Sequence, residues 1–568
     1  MMAKKKRQNP KTEDPVMPEA EKARLADGDS FWKSRNNLLF LLAILSITFG
    51  VYLPSLQNGF VNWDDGFYIY TNPLITDISD WKSFFISVKE IFATHVNEGY
   101  TPITVLSFAF EKMVYGLNRP GMWHLNNIIL HLVCVLLVFR IALALGLKLI
   151  PAAFCALLFG IQPMRVESVA WLTERKDVLF GSFYLLALYY YIKSVKSSFR
   201  KQYLFIIIAS FIIALLSKIQ AVTLPLSMLL VDYYFGRTLS MKLIYEKWLY
   251  FFISLVTGAV GIYFLRFGGE SLGASHNYFS IFQRIFIGPY SFVIYFIKSL
   301  LPYKMVPIHP YPDPNSWSFY ASIIIAPSII GSTYYFFHTH KKTMVLGILF
   351  FTFNIMFLLQ TLSAGRGFIA DRFTYIAYFG LFLIYASGLQ WLLEKYRKFD
   401  RLVYVALLVI LTAYGYVNFE QNKIWRNGET LWTHELKYYP FNFSALFNRA
   451  EYYLAEGRNK EAIEDYNKAL ALQPYDPHVY LSRGIAYGKL NMHAKALQDF
   501  NKAEKLDPSH HETYRNKSII HIRLGQYDKA YSELKKYAIL NPGDPEVWST
   551  LESLNTLRNR YGKPPGTL

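Results

Sequence analysis

Two adjacent aspartates, Asp64 and Asp65, follow the first membrane-length apolar run of the chain, which lies near residues 37–55. A carboxylate this close to a bilayer is costly unless it is solvated, paired or functional. In a partly desolvated pocket it is a usable general base, and a hydroxyl substrate needs such a base before it can act as a nucleophile. The alternative is a solvated turn, because an Asp-Asp-Gly sequence is ordinary turn chemistry.

A second group of charged residues contains both cations and acids and lies further along the chain. Arg175 can hold a phosphate bidentately, and Lys176 can add a point charge beside it. With Arg372 as a further cation, the three can stabilise negative charge on a phosphate leaving group. The alternative is an interfacial cluster of salt bridges that anchors helix ends. The other residues that we expect to line this site are Glu167, Glu174, Asp177, Asp371 and His124.

Metal chemistry is not indicated by the remaining polar residues. His124 and His131 lie two helical turns apart, and this separates them by ~10.5 Å, too far for one metal ion. We interpret them mainly as polar packing groups. The sequence contains no glycine-rich phosphate loop, zinc motif or Ser-His-Asp arrangement. No cofactor is therefore predicted, although two neighbouring carboxylates can hold a divalent ion.

The composition is that of a membrane protein with a polar tail. Of the 568 residues, 53% are hydrophobic and only 18% are charged, whereas a soluble protein carries about 25% charged residues. The mean hydropathy is +0.17 although the last quarter of the chain is polar. The net charge is +18, and the positive residues lie between the apolar runs and near the N-terminus. This placement follows membrane topology, so nucleic acid is not an expected partner.

Charge and length together predict the topology of residues 37–420. With the basic tail of residues 1–36 in the cytoplasm, the four basic clusters between apolar runs should also be cytoplasmic. This requires about eleven crossings. The run near 284–302 would then be a re-entrant or interfacial helix on the outer side, because it contains a Gly-Pro pair and is followed by several prolines. The alternative is twelve spans with one violated loop.

The predicted orientation places the candidate residues on one side of the membrane. The external loop of residues 56–122, the charged group around Arg175 and the C-terminal domain of residues 421–568 all face away from the cytoplasm. Charges of both signs at helix ends on one face are typical of a site. A bacterial inner membrane suits the sequence, and an endoplasmic reticulum membrane would follow the same orientation rule.

The C-terminal domain contains an internal repeat. Prolines recur every 34 residues at Pro440, Pro474, Pro508 and Pro542. The same period is kept by small residues at Ala450, Gly484 and Ser518 and at Ala462, Ala496 and Ala530, and by large residues at Tyr466, Phe500 and Leu534. This is the tetratricopeptide signature, with three full repeats over about 441–542 and a capping helix at each end. Such stacks bind peptides or proteins; the alternative is that they serve only for dimer contacts.

Several segments, taken in order, form a recognisable series. They are Asn58-Gly59-Phe60 with Asp64-Asp65, Tyr68 and Asn72-Pro73, then Tyr100 to Ser107, Gly116-Leu117-Asn118 with His124 and His131, Glu167 to Trp171 with Glu174 to Asp177, and Ala370 to Tyr375. The series resembles one family, the transmembrane and tetratricopeptide repeat-containing proteins and their bacterial relatives, over essentially the whole chain. That family is similar to the protein O-mannosyltransferases and other GT-C glycosyltransferases.

The resemblance implies an all-α fold, a polytopic GT-C-like helical bundle with its active site on the non-cytoplasmic side and a C-terminal tetratricopeptide solenoid. It implies a sugar on a polyprenyl phosphate as donor and a serine or threonine hydroxyl as acceptor. In such enzymes the acidic pair of the first external loop holds a metal-free catalytic base, which falls here on Asp64, with Asp65 assisting. The phosphate-binding role of Arg175, Lys176 and Arg372 rests on charge and topology.

The expected function is therefore that of an inverting glycosyltransferase that modifies proteins outside the cytoplasm. Its expected partners are the lipid-linked sugar, polypeptide acceptors and membrane lipid. Two alternatives stay open at this point: a membrane-anchored repeat scaffold for secretion or envelope assembly, and a ligase or polymerase that transfers glycan to glycan. The repeats favour protein acceptors, because a glycan polymerase does not need a peptide-binding solenoid.

Overall fold

The computed structural model describes residues 34–94, 100–197, 199–238, 240–267, 279–336, 341–359 and 367–561. The predicted basic tail, residues 1–36, lies outside the described residues except for its last three positions. All regular secondary structure within these ranges is helical, which confirms the all-α prediction.

The helices are numbered here in chain order, and short 3₁₀ and π-helical turns join several of them. They are α1 (Arg35–Val51), α2 (Pro73–Thr76), α3 (Trp81–Ala93), α4 (Pro102–Tyr115), α5 (Pro120–Ala144), α6 (Leu149–Ile161), α7 (Val166–Ala170), α8 (Arg175–Lys196), α9 (Gln202–Ser217), α10 (Leu224–Tyr234), α11 (Met241–Tyr245), α12 (Trp248–Phe267), α13 (Ile281–Leu300), α14 (Trp317–Phe336), α15 (Lys341–Ile355), α16 (Tyr378–Lys395), α17 (Asp400–Lys423), α18 (Gly428–Tyr438), α19 (Phe443–Ala455), α20 (Asn459–Leu472), α21 (Pro477–Lys489), α22 (His493–Leu506), α23 (His511–Arg523), α24 (Tyr527–Leu540) and α25 (Pro545–Tyr561).

The chain divides into two compact units. The first, here the bundle unit, contains the chain up to Leu56 together with residues 77–305 and 311–421. The second, here the repeat unit, contains residues 57–76, residues 306–310 and the chain from Asn422 onward. The sequence assigns the loop around Asp64 to the membrane domain, whereas in the structure this loop belongs to the repeat unit.

The bundle unit contains long apolar helices. Within the described ranges, three helices are long and apolar enough to cross a membrane, namely α5, α8 and the helical stretch Arg397–Arg426. The pair α6 and Pro163–Ala170 qualifies together, with a bend of 51°. The bend falls at Gln162-Pro163, because proline lacks a backbone donor and pushes its predecessor into an extended conformation. Five further apolar helices are shorter, so about eleven crossings stays a prediction.

The run that the sequence analysis treats as re-entrant forms one continuous helix, α13, with Pro289 in its interior. A capping box fixes its start, because Ser280 Oγ accepts the N–H of Gln283 and the Gln283 side chain accepts the N–H of Ser280. Its relation to a bilayer stays a prediction.

Small residues allow helices of the bundle unit to approach closely. A Cβ atom on Gly380 of α16 would lie 2.2 Å from the carbonyl oxygen of Gly347 in α15. A Cβ atom on Gly181 of α8 would lie 2.7 Å from the Tyr375 ring. Close backbone contacts of this kind are how membrane helices gain packing energy where lipid offers no hydrophobic driving force.

The repeat unit is a stack of antiparallel helix pairs, α19/α20, α21/α22 and α23/α24, between the single helices α18 and α25. The periodic small residues lie where helices touch: Ala462, Ala496 and Ala530 are completely buried. Gly484 packs against the ring of Phe500, the large residue of the same repeat. The 34-residue pattern therefore encodes helix contacts, small against large, within each repeat.

Gly484→Ala tests this packing. A Cβ atom at this position would lie 2.5 Å from the Phe500 ring, and overpacking of this kind costs about 1–3 kcal/mol. We expect a lower unfolding temperature of the solenoid in the purified full-length protein, measured by circular dichroism. Gly543→Ala is the matched control, because nothing lies within 4 Å of a Cβ atom there. Equal unfolding temperatures for the two variants would contradict the packing argument.

Candidate functional site in the acidic loop and the buried charge cluster

The two aspartates of the loop have different surroundings. Asp65 is 1% exposed, and its Oδ2 accepts the backbone N–H of Val61 at 2.9 Å, which closes a tight turn. Asp64 is only partly buried, and its carbonyl oxygen accepts the N–H of Tyr68 at the start of a π-helical turn. The Asp65 carboxylate thus holds the loop together, while Asp64 is the more accessible of the pair.

A cluster of charges in the bundle unit is centred on Glu174, which is completely buried. Its Oε1 lies 3.1 Å from Lys176 Nζ and 3.2 Å from Arg372 Nε. Its Oε2 lies 3.4 Å from Lys218 Nζ. Burial alone would raise the pKa of this carboxyl, but the Lys176, Lys218 and Arg372 charges hold the pKa well below its usual range. Glu174 is therefore ionised at neutral pH.

Two further carboxylates complete the cluster. Glu167 accepts the backbone N–H of Arg372 at 2.9 Å and pairs with its guanidinium. Asp177 pairs with Lys218 at 2.5 Å and accepts the hydroxyl of Ser168 at 2.9 Å. The fold thus brings together Glu167 of α7, residues at the start of α8 and Arg372 before α16. The sequence analysis groups the same residues, without Lys218.

The cluster has an inner and an outer layer. The three carboxylate side chains are 0–5% exposed, whereas the side chains of Lys176, Lys218 and Arg372 are 16%, 13% and 19% exposed. Three cations therefore cover three acids. An anion that approaches this surface meets positive charge first, and the acids beneath hold the cations in place.

Arg175 lies apart from its neighbour Lys176. Its side chain is 1% exposed, and its Nη1 lies 2.5 Å from Glu111 Oε1. Its Nε donates to Asn127 Oδ1 at 2.7 Å and its Nη2 to the Trp123 carbonyl at 2.8 Å. The reason is helical geometry, because consecutive side chains at the start of α8 point in different directions. The phosphate-binding role expected for Arg175 is thus not supported by its position, which is that of a buried ion pair.

Arg175→Met is expected to lower stability strongly, because it leaves Glu111 buried without its cation. Breaking a buried pair in this way costs about 3–5 kcal/mol. Burial raises the pKa of Glu111 while Arg175 lowers it. Without Arg175, burial raises the pKa of Glu111 in the folded protein above its value in the unfolded chain. The folding stability then falls as the pH rises, so Arg175→Met should lose more stability at pH 8 than at pH 5.

Thermal unfolding of the full-length protein in detergent at these two pH values measures the effect. The control is Lys148→Met, whose partner Glu394 is exposed, because such surface pairs contribute at most about 1 kcal/mol. A stable Arg175→Met protein with a raised donor KM would instead restore the phosphate-binding role.

Asp371 and His124, the remaining predicted lining residues, are both buried. Asp371 pairs with Lys298 of α13 at 2.8 Å. His124 is 1% exposed on α5. On the same helix, His131 contacts the Tyr375 hydroxyl at 2.8 Å and the Gly160 carbonyl at 2.9 Å, which is the polar packing role that the sequence suggests. Neither Asp371 nor His124 belongs to the outer layer of cations.

Three charged partners escaped the sequence analysis, namely Lys218, Lys298 and Glu111. The first two are single cations inside or between apolar runs, far from the basic clusters that determine topology. An isolated charge in such a run is itself a signal of function or pairing, because burying it alone is costly. Glu111 lies outside the membrane-length apolar runs, in the predicted external loop of residues 56–122, and was therefore not singled out.

The described residues contain no group of three or more His, Cys, Asp or Glu side chains that could hold a metal ion. Each acid of the cluster is paired with lysine or arginine. Fixed cations are thus the groups that this part of the chain offers to an anionic ligand.

Comparisons with known proteins identify the repeats directly. Family models described as TPR repeat and tetratricopeptide repeat match residues 450–491 and 477–510. This confirms the repeat assignment made from the 34-residue period. Among solved structures, the first TPR of Spaghetti (RPAP3) bound to an HSP90 peptide is 25% identical over 20% of this chain and 90% of its own, with a TM-score of 0.20.

Curated relatives extend the comparison to the rest of the chain. Protein O-mannosyl-transferase F38B6.6 of Caenorhabditis elegans is 22% identical over 470 residues, 76% of this chain and 63% of its own length. Protein O-mannosyl-transferase Tmtc2 of Drosophila melanogaster is 30% identical over 27% of this chain and 16% of its own. Protein O-mannosyl-transferase TMTC1 of Homo sapiens is 30% identical over 24% and 15%.

The match thus spans less than two thirds of each relative. A single matched stretch covering 76% of a 568-residue chain must include its middle, where Glu167, Glu174 and Arg372 lie. With apolar helices in its first part and repeats in its last, the chain is similar to these proteins named protein O-mannosyl-transferases.

Proposed function

We propose that this protein is a membrane glycosyltransferase that transfers a sugar from a polyprenyl-phosphate donor to serine or threonine hydroxyls of proteins on the non-cytoplasmic side of the membrane. The observation that carries the proposal is the relationship to proteins named O-mannosyl-transferases over 76% of the chain. The two-layered charge cluster supports it, because it offers an anionic donor a surface of fixed cations.

Asp64 is the proposed catalytic base. Its carboxylate takes the proton of the acceptor hydroxyl as that oxygen attacks the anomeric carbon. Asp65 supports it by closing the turn through the N–H of Val61. The difference between the two side chains supports this assignment, because the Asp65 carboxylate is buried and accepts the N–H of Val61.

Lys176, Lys218 and Arg372 are the proposed contacts of the donor phosphate. As the bond from the anomeric carbon to the phosphate oxygen breaks, the electron pair stays on that oxygen, and these cations stabilise its charge. Glu174 and Glu167 hold the Arg372 guanidinium, which supplies delocalised positive charge, and the lysines add point charges. Arg175 supports α8 through Glu111 and Asn127 rather than contacting the donor.

The repeat unit is proposed to hold the acceptor polypeptide. Tetratricopeptide stacks present a continuous surface built from successive repeats, and this suits an extended chain better than a single sugar. In the proposed orientation, which follows the positive-inside rule, the cytoplasmic loops lie on the opposite side from the candidate site. In the proposed mechanism the base and the cations are side chains, so the reaction needs no metal.

A transfer assay tests the proposal. Membranes with the full-length protein are incubated with polyprenyl-phosphate mannose and a secreted Ser/Thr-rich protein, with and without a chelator, and the product is analysed by mass spectrometry. We expect O-linked hexose that is unaffected by the chelator and absent when a nucleotide sugar replaces the lipid donor. Transfer from the nucleotide sugar, or onto glycan alone, would overturn the donor or acceptor assignment. Rescue of a deletion strain by the membrane-tethered repeat unit alone would favour the scaffold.

A further inference from the structure

The loop that carries Asp64 is fastened to the first helices of the solenoid by side chains that have no part in the proposed chemistry. Asn62, two residues before Asp64, makes two of these contacts. Its Nδ2 donates to the carbonyl of Asn448 in α19 at 2.6 Å. Its Oδ1 accepts the indole N–H of Trp432 in α18 at 3.1 Å. One side chain therefore connects the loop to two successive helices.

Trp432 also packs on the loop. Its side chain is completely buried, and its ring lies 5.4 Å from the Trp63 ring at an angle of 64°. Such edge-to-face contacts are directional, so they fix the orientation of the residue next to Asp64. The contact surface is also tight, because a Cβ atom on Gly428 would lie 2.0 Å from Asn62 Oδ1.

Two hydrogen bonds to backbone carbonyls fasten the start of the loop. Asn58 Nδ2 donates to the carbonyl of Asn422 at 3.0 Å, and the N–H of Gly59 donates to the carbonyl of Arg426 at 2.9 Å. A second segment of the unit, residues 306–310, docks on α18, since the N–H of Ile308 donates to the buried carboxylate of Glu435 at 3.2 Å.

Helix α18 is itself joined to the first repeat. Glu435 of α18 accepts from Asn442 Nδ2 at 2.8 Å, and Thr433 accepts from Arg449 Nη1 at 3.2 Å. Arg449 in turn forms a two-point ion pair with Asp465 of α20. The contacts thus run without interruption from the loop through α18 to the first helix pair.

We infer that α18 is a positioning element of the acceptor site: through Asn62 and Trp432 it holds the Asp64 loop in fixed register with the solenoid that presents the acceptor polypeptide. The inference rests on the proposed function of Asp64. Asn62, Trp432 and Gly428 are positioning residues. Their loss should slow transfer to a bound acceptor, because small misplacements of a reacting group cost much of the rate, and should leave donor binding unchanged.

The test uses the full-length protein with Asn62→Ala, Trp432→Phe and the double variant. We expect kcat to fall roughly 10- to 100-fold in each single variant with the donor KM unchanged. The losses in the double variant should be less than additive, because both single variants remove the hydrogen bond between Asn62 and Trp432. Asn62→Asp should retain part of the activity, since it keeps an acceptor for the indole N–H. Additive losses, or a change in donor KM alone, would overturn the inference.

Hydrogen–deuterium exchange of residues 57–72 gives a readout that does not depend on activity. We expect faster exchange in this segment for Asn62→Ala and Trp432→Phe, with exchange in α21–α24 unchanged. Asn467→Ala is the control, because this exposed side chain accepts from Arg483 Nη1 at 2.6 Å within the solenoid and lies outside the loop. If the wild-type protein transfers no sugar, the proposed function fails, while exchange still decides whether α18 holds the loop. Unchanged exchange in both variants would overturn the positioning role whatever the activity.

Discussion

Replacing Asp64 with asparagine is expected to reduce sugar transfer by about 10²- to 10⁴-fold, the usual contribution of a positioned general base. The substitution keeps the size and shape of the side chain but removes its ability to take a proton. The hydroxyl of the acceptor then attacks without prior or concerted deprotonation. The loss should appear in kcat, measured with saturating lipid-linked donor and acceptor protein, while the donor KM stays close to that of the wild type.

Asp65→Asn is the matched control, because it makes the same chemical change one residue away. The amide oxygen of asparagine can still accept the N–H of Val61, so the turn should persist. We expect a loss of less than about tenfold, since a weaker acceptor changes the turn by no more than ~1.5 kcal/mol. If Asp65→Asn is the severe variant and Asp64→Asn the mild one, the two roles must be exchanged.

The repeats were predictable from the sequence because their packing is local and periodic. A small residue such as Gly484 faces a large one such as Phe500, 16 positions later, and the same spacing recurs in every repeat. A pattern of this kind encodes which helix faces meet without any knowledge of the rest of the chain.

The candidate site was only partly predictable. Topology alone groups Glu174 and Lys176 with Arg372, and the structure brings these three together. Topology could not separate Lys176 from Arg175, because their separation depends on the direction in which each side chain leaves the first turn of α8. Nor could it include Lys218, whose partners lie more than 40 positions earlier in the chain.

The association of the Asp64 loop with the solenoid had no sequence signal at all. The hydrogen bonds of Asn58 and Asn62 join residues 364 to 386 positions apart, and no periodicity connects them. Asn-rich and Trp-rich loops are common, so their composition does not indicate a partner. The functional meaning of Asn62 and Trp432 is visible only once the loop is seen in the repeat unit.

The second large effect is expected for Arg372→Gln, which removes the most exposed cation of the cluster. Loss of one charge-stabilising donor at a reacting centre typically costs about 10²- to 10³-fold in rate. Arg372→Lys should lose less, because it keeps the charge but not the planar fork. The measurement is kcat and KM for polyprenyl-phosphate sugar, with Lys148→Gln as a control for removing a cation of the bundle unit outside the cluster.

Glu167→Gln separates a donor contact from a structural role for Arg372. Arg372 pairs with Glu167, so if this pair only anchors the chain before α16, removing either partner should have the same effect on activity and on thermal stability. If Arg372 instead contacts the departing phosphate, Glu167→Gln should leave most of the activity, because the cation is still held by Glu174 at 3.2 Å. Equal losses in the two variants would argue against the phosphate role. A loss of activity in Arg372→Gln but not in Glu167→Gln would mean that the buried acids hold Arg372 in place, while its charge acts on the donor phosphate at the outer surface of the cluster.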